Sequence, residues 1–192
     1  MNTREEAHRW SPNQLDKRRR IVEAARTVLA RDGLAGCTAR SVAEAGPLTK
    51  SAIHYYFSDM DDLVDLAMAG HIDAFAARVR AAADHHRKPE TRFWAVVREY
   101  LETFREMPGT ARLWFEYWID ATRKGRPAAI ERSHAQVAAV FAEHLAAAGV
   151  ADAGDRADAL FTYLLGAVVR QAVRPRPFSE LRPRIALLAG LD

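Results

Sequence analysis

Apolar positions recur with helical spacing along almost the whole chain. The first run is Leu15, Ile21, Val22, Ala25, Val28 and Leu29. The preceding SPNQ reads as N-cap Ser11, Pro12 at the first helical position and Gln14 closing a capping box, with Gly33 as the stop. A short second helix follows N-cap Thr38, with Val42 and Ala43 turned inward. Gly46 and Pro47 break it, because glycine allows a tight bend and proline cannot continue a helix. Thr49 caps a third helix, from Lys50 to about Tyr56. Two helices joined by a short glycine-containing turn form a helix-turn-helix.

A fourth helix starts at Ser58 or Asp59, with Asp61 and Asp62 in its first turn, where negative charge is favoured. Its stripe is Leu63, Val64, Leu66, Ala67, Ile72, Phe75, Ala76 and Val79, reaching about Ala83. After the polar break DHHRKPE, helices are expected over residues 90–106, 109–123, 128–148, 152–173 and 179–190. No stretch sustains the alternation of a strand, and no repeat recurs. The expected class is all-α. A loose tail (1–10) precedes a three-helix head (11–57) and a larger helical body (58–192).

Charge separates these parts. Residues 1–57 hold ten Lys/Arg against six Asp/Glu, leaving 18 against 19 for the rest of a chain with 28 basic and 25 acidic residues. The positive excess lies in the head, where a polyanion would be met. No apolar run approaches the roughly 20 residues of a membrane span. The charged N-terminal stretch lacks the apolar core of a secretory signal. One cysteine, Cys37, excludes an internal disulfide and reads as a small buried side chain. A reducing cytoplasm is the expected setting.

The stretch LTKSAIHYYFSDMDDL (48–63) crowds polar and aromatic tips onto the third helix. Ile53 and Phe57 are four apart and share its inner face. Lys50, Ser51, Ala52, His54 and Tyr55 are left to point elsewhere; Tyr55 and Tyr56 could instead pack on the fourth helix. A seven-residue helix is about 10 Å long, and the major groove of B-DNA is about 12 Å wide.

Residues 21–68 resemble the DNA-binding head of TetR/AcrR-like regulators. The resemblance rests on Val42-Ala43, Thr49, IHYYF and Leu63 at matching spacing. Two departures stand out. Gly46 comes one place early with Pro47 after it, and Met60 replaces a frequent lysine. The resemblance implies that Thr38 and Thr49 offer hydroxyls and backbone N–H groups to phosphates. It implies base-edge contacts from Arg40 and Lys50, and close approach to bases by Ser51 and Ala52. His54, Tyr55 and Tyr56 would reach phosphates and sugars, and Arg18, Arg19 and Arg20 either steer the backbone or form a solvated face.

The resemblance also implies a homodimer on an inverted-repeat operator, joined through the last two helices. Leu160, Leu164, Ala167, Val168 and Gln171 form one face of the first, and Leu181, Ile185 and Leu188 come from the second; ordinary core is the alternative. Residues 93–118 are rich in aromatics. PGTARLWFEYWIDATR (108–123) is similar to the BetI-type branch. Trp94, Trp114, Tyr117, Trp118, His134 and Phe161 are the effector-site candidates, for a small apolar or aromatic ligand, and each could equally be core. The expected function is a ligand-released repressor.

Rival readings fare worse. A helical enzyme or small-molecule carrier with a non-functional head lacks supporting motifs: none of the seven histidines forms HExxH or a Cys/His metal pattern. No cofactor-binding or nucleophile motif is present, so neither a catalytic site nor a cofactor is expected. A non-specific DNA-packing protein would need many phosphate contacts, which the near-neutral body does not offer.

Overall fold

The structure is a computed structural model that describes residues 10–46 and 48–191. Pro47 and the tail residues 1–9 lie outside them. The described residues form α-helices and no strand. In order these are α1 (Pro12–Gly36), α2 (Ala39–Glu44), α3 (Lys50–Tyr56), α4 (Met60–Ala81), α5 (Pro89–Glu106), α6 (Pro108–Arg123), α7 (Pro127–Ala147), α8 (Ala153–Val173) and α9 (Phe178–Ala189). The chain forms two compact units that divide between His71 and Ile72, inside α4.

In the first unit each helix start has a side-chain cap. Ser11 and Gln14 close a capping box at α1, Thr38 accepts from the Ser41 N–H, and Thr49 accepts from the Ala52 N–H. Such caps satisfy N–H groups that a helix cannot pair itself. Gly33 interrupts α1 with a left-handed φ of 74°, which favours glycine, and one further turn follows. Gly46 works through size: a Cβ there would stand 3.3 Å from Leu48 Cδ1. Ile21, Ala25, Val28, Val42, Ile53, Leu63 and Ala67 are fully buried, and Phe57 closes the cluster. Leu66, expected on the inner stripe of α4, is 36% exposed. It falls outside the face shared by Leu63, Val64, Ala67 and Met68, all of which are buried.

The second unit is built around α7 and α8. Helix α5 packs on both, α6 on α5 and α7, and α9 on α8. Phe93, Val96, Val97 and Tyr100 of α5 meet Val140, Phe141 and Leu145 of α7 and Leu160 and Leu164 of α8 in one core. His144 is buried at the edge of this core, and its Nε2 has no hydrogen-bond partner among the described residues.

Burial lowers the pKa of His144, as it does for His134 and His71, below the ordinary 6.5. The folded chain therefore holds these imidazoles neutral, while the unfolded chain protonates them first as pH falls. Stability is fully present above about pH 6.5 and is lost toward the lower folded-state values. The melting temperature should drop between pH 7.5 and pH 5.5. It should drop less in His144→Leu, and equal drops would exclude His144 as a contributor.

Candidate nucleic-acid interface and effector site

Helix α3 has one buried face and one open face. Ile53 and Phe57 are buried against the head, while Thr49, Lys50, Ser51, His54 and Tyr55 are exposed; Ala52 and Tyr56 are half-buried between them. Thr38 and Arg40, at the start of α2, are exposed as well. Thus α2 and α3, neighbours in one small unit, supply all nine candidate residues. Arg40 is 85% exposed and forms an ion pair with Glu44 at 2.9 Å, one helical turn away. A pair this exposed is worth little in water, so the guanidinium can exchange partners cheaply.

Trp10, Tyr55 and Tyr56 form a mutual ring cluster, with centroids 5.0–5.9 Å apart. Gln14 Nε2 also donates to the Tyr55 hydroxyl at 3.4 Å. The start of α1 is therefore tied to the end of α3. Of the first-helix arginines, Arg18 lies over the Phe57 ring at 4.9 Å, and Arg19 and Arg20 both pair with Asp16.

In the body, five of the six aromatic candidates come together. Trp114, Tyr117 and Trp118 project from α6, His134 from α7 and Phe161 from α8. The His134 ring lies 5.8 Å from Trp114, 6.2 Å from Trp118 and 5.3 Å from Phe161. Tyr117 and Phe161 are buried, whereas Trp118 is 40% exposed, so the cluster opens to solvent. The His134 Nε2 is shut from solvent with no hydrogen-bond partner among the described residues. Leaving such a group unpaired costs about 1–3 kcal/mol. Trp94 stands apart from this cluster. It stacks on Phe93 and Phe178, with Arg182 over its ring, and donates to Glu90.

Most of the expected dimer-face residues also serve the chain's own core. Leu160, Leu164, Ala167, Val168, Leu181 and Ile185 are buried in the chain's own core. Helical register explains this: positions 157, 160, 161, 164, 167 and 168 of α8 share the inward face. Gln171 grips the α8–α9 connection, donating to the Arg176 carbonyl at 2.8 Å and accepting from its N–H at 2.6 Å. Leu188 is half-buried. The apolar side chains left outside are Val169 (49% exposed), Val173 (85%) and Leu187 (63%). Val169 lines an open groove of about 590 Å³ together with Gly166, Arg170, Arg174 and three of the expected dimer residues, Ala167, Gln171 and Leu181.

Residues 21–67 match the family of bacterial regulatory proteins of the tetR type. The regulator PksA of Bacillus subtilis (strain 168) is 28% identical over 59% of this chain and 57% of its own length. The match therefore spans little more than half of that relative. The regulator BetI of Paraburkholderia phymatum is 25% identical over 67% of this chain and 69% of its own. Among solved structures, the multidrug binding protein EbrR complexed with proflavin superposes with a TM-score of 0.71 at 27% identity, covering 90% of this chain and 99% of that one. Residues 21–67 thus carry the tetR-type head, and the chain resembles TetR-type transcriptional regulators. The relatives it matches are regulators rather than enzymes.

This TetR-like chain has one head residue that the tail assignment overlooked. Trp10 precedes N-cap Ser11, the position from which an apolar side chain fixes how the chain enters a helix. The aromatic residue just before the capping box was the available signal. Cys37 is buried, which pushes its thiol up to about 11 and leaves it unreactive. Trp10→Ala should cost about 1 kcal/mol from its two ring contacts and speed amide exchange at the C-terminal end of α3. Unchanged exchange there would mean that the ring cluster does not hold the helix.

Proposed function

We propose that this regulator binds an inverted-repeat DNA operator as a homodimer and is released by a small apolar or aromatic ligand. The head (11–57) is the DNA-reading part, and the body (58–192) carries the effector site and the dimer contact. The observation that carries this reading is the open face of α3, with Lys50, Ser51, His54 and Tyr55 exposed over the buried Ile53. Lys50 and Arg40 would contact guanine edges, and Ser51 and Ala52 would lie close to bases. Thr38, Thr49, His54, Tyr55 and Tyr56 would hold phosphates and sugars and so fix register without reading sequence.

One head reads one half-site, so an operator of two half-sites needs two copies. The outer face of α8 and α9, with Val169, Val173 and Leu187, is the dimer surface this reading assigns. Gly166 favours close approach there, since a Cβ at that position would meet nothing within 4 Å of its own chain. The cluster of Trp114, Tyr117, Trp118, His134 and Phe161 is the effector site. The planar proflavin in EbrR's complex is of the kind such rings could hold. A ligand there acts only if it binds one arrangement of the two heads better than another. Helix α4 contributes residues to both units and is the covalent route between them.

Arg40→Ala should flatten base preference at one position, with a loss of about 1–3 kcal/mol on the preferred base pair. Tyr55→Phe should weaken all sequences alike. Fluorescence anisotropy on matched and mismatched duplexes separates the two, and unchanged binding in both variants would defeat this assignment. Val173→Glu should convert dimers to monomers in light scattering at micromolar concentration; an unaltered mass would place the dimer contact elsewhere.

A further inference from the structure

The ring cluster in the body has a feature that packing alone does not require. His134 sits among Trp114, Trp118 and Phe161, yet its Nε2 is buried without a hydrogen-bond partner among the described residues. Trp114 and Trp118 are one turn apart on α6, so their rings flank the same approach to the imidazole. Trp118 is 40% exposed, so one edge of the ring cluster reaches solvent.

Resting on the effector site assigned above, we propose that the ligand is an uncharged aromatic alcohol of the phenol class. Its ring lies against Trp114 and Trp118, and its hydroxyl hydrogen-bonds to His134 Nε2. Three properties of the site select this chemistry. The flanking rings offer faces and edges for a flat ring. Burial is what lowers the His134 pKa, so the imidazole is neutral and offers an ionic ligand no counter-charge of its own. A neutral imidazole presents a donor on one nitrogen and an acceptor on the other. A hydroxyl both donates and accepts, so it satisfies Nε2 in either tautomer, whereas an ether or an aromatic hydrocarbon does not.

The test is calorimetry on the full chain with 2-naphthol, 2-methoxynaphthalene and 2-naphthoate at pH 7.5. Wild-type protein should bind the naphthol about tenfold or more tightly than either of the others. In His134→Phe, which keeps a flat ring and removes the nitrogens, naphthol and ether should agree within about twofold. Trp118→Ala should weaken both. The wild-type His134 imidazole 15N resonance should move with the naphthol and stay with the ether, a readout that depends on no variant folding. If naphthol and ether bind wild type alike while Trp118→Ala weakens both, the hydroxyl inference fails and the effector site stands. Tightest binding of naphthoate overturns the inference in the same way. If none of the three binds, or Trp118→Ala alters none, the effector-site assignment falls and this inference falls with it.

Discussion

Ile53 and Phe57 lie four residues apart at the end of a helix only seven residues long. A helix of that length does not hold itself together in water. What fixes α3 is the burial of these two side chains, together with its packing on α2. Once they are buried, the periodicity of the helix dictates that Lys50, Ser51, His54 and Tyr55 face out. The proposed reading surface is thus a consequence of core packing. The Thr49 cap and the ring cluster of Trp10, Tyr55 and Tyr56 secure its two ends.

The body follows a different logic. Its core consists of aliphatic side chains and fully buried rings, with Phe93, Tyr100 and Phe141 at the centre. The second group of rings, around His134, is packed less completely and includes an imidazole nitrogen that the fold leaves unpaired. Interiors seldom tolerate such a group without a use. The His144 Nε2 is unpaired as well, but at the edge of the closed core, whereas the His134 Nε2 stands among rings of which Trp118 reaches solvent; that difference motivates the effector site, more than aromatic content does. Trp94 illustrates the point. It is as aromatic as the others, yet its indole N–H already donates to Glu90 and its ring is covered by Arg182.

Where local chemistry decides structure, the sequence could be read directly. The caps at Ser11, Thr38 and Thr49 and the inward pair Ile53 and Phe57 follow from spacing and side-chain type. Convergence of α6, α7 and α8 is tertiary, and no periodicity could say that Trp114 meets His134 while Trp94 does not. The two faces of α8 are hard to tell apart in sequence for a related reason. Leu160 and Leu164 mark an apolar face, but a helix covered on one side by its own chain and bare on the other shows two such faces. Only packing reveals that Val169 and Val173 are the bare ones. Trp10 was missed because a residue outside any helix has no period to read.

The central claim is that the open face of α3 reads DNA in pairs. Selection of bound sites from a random duplex pool at physiological salt tests it most directly. The account predicts an inverted repeat whose half-site centres lie about one helical turn, or a multiple of it, apart. Weak binding without sequence preference, disappearing as salt rises, would contradict it and reduce the head to a basic surface.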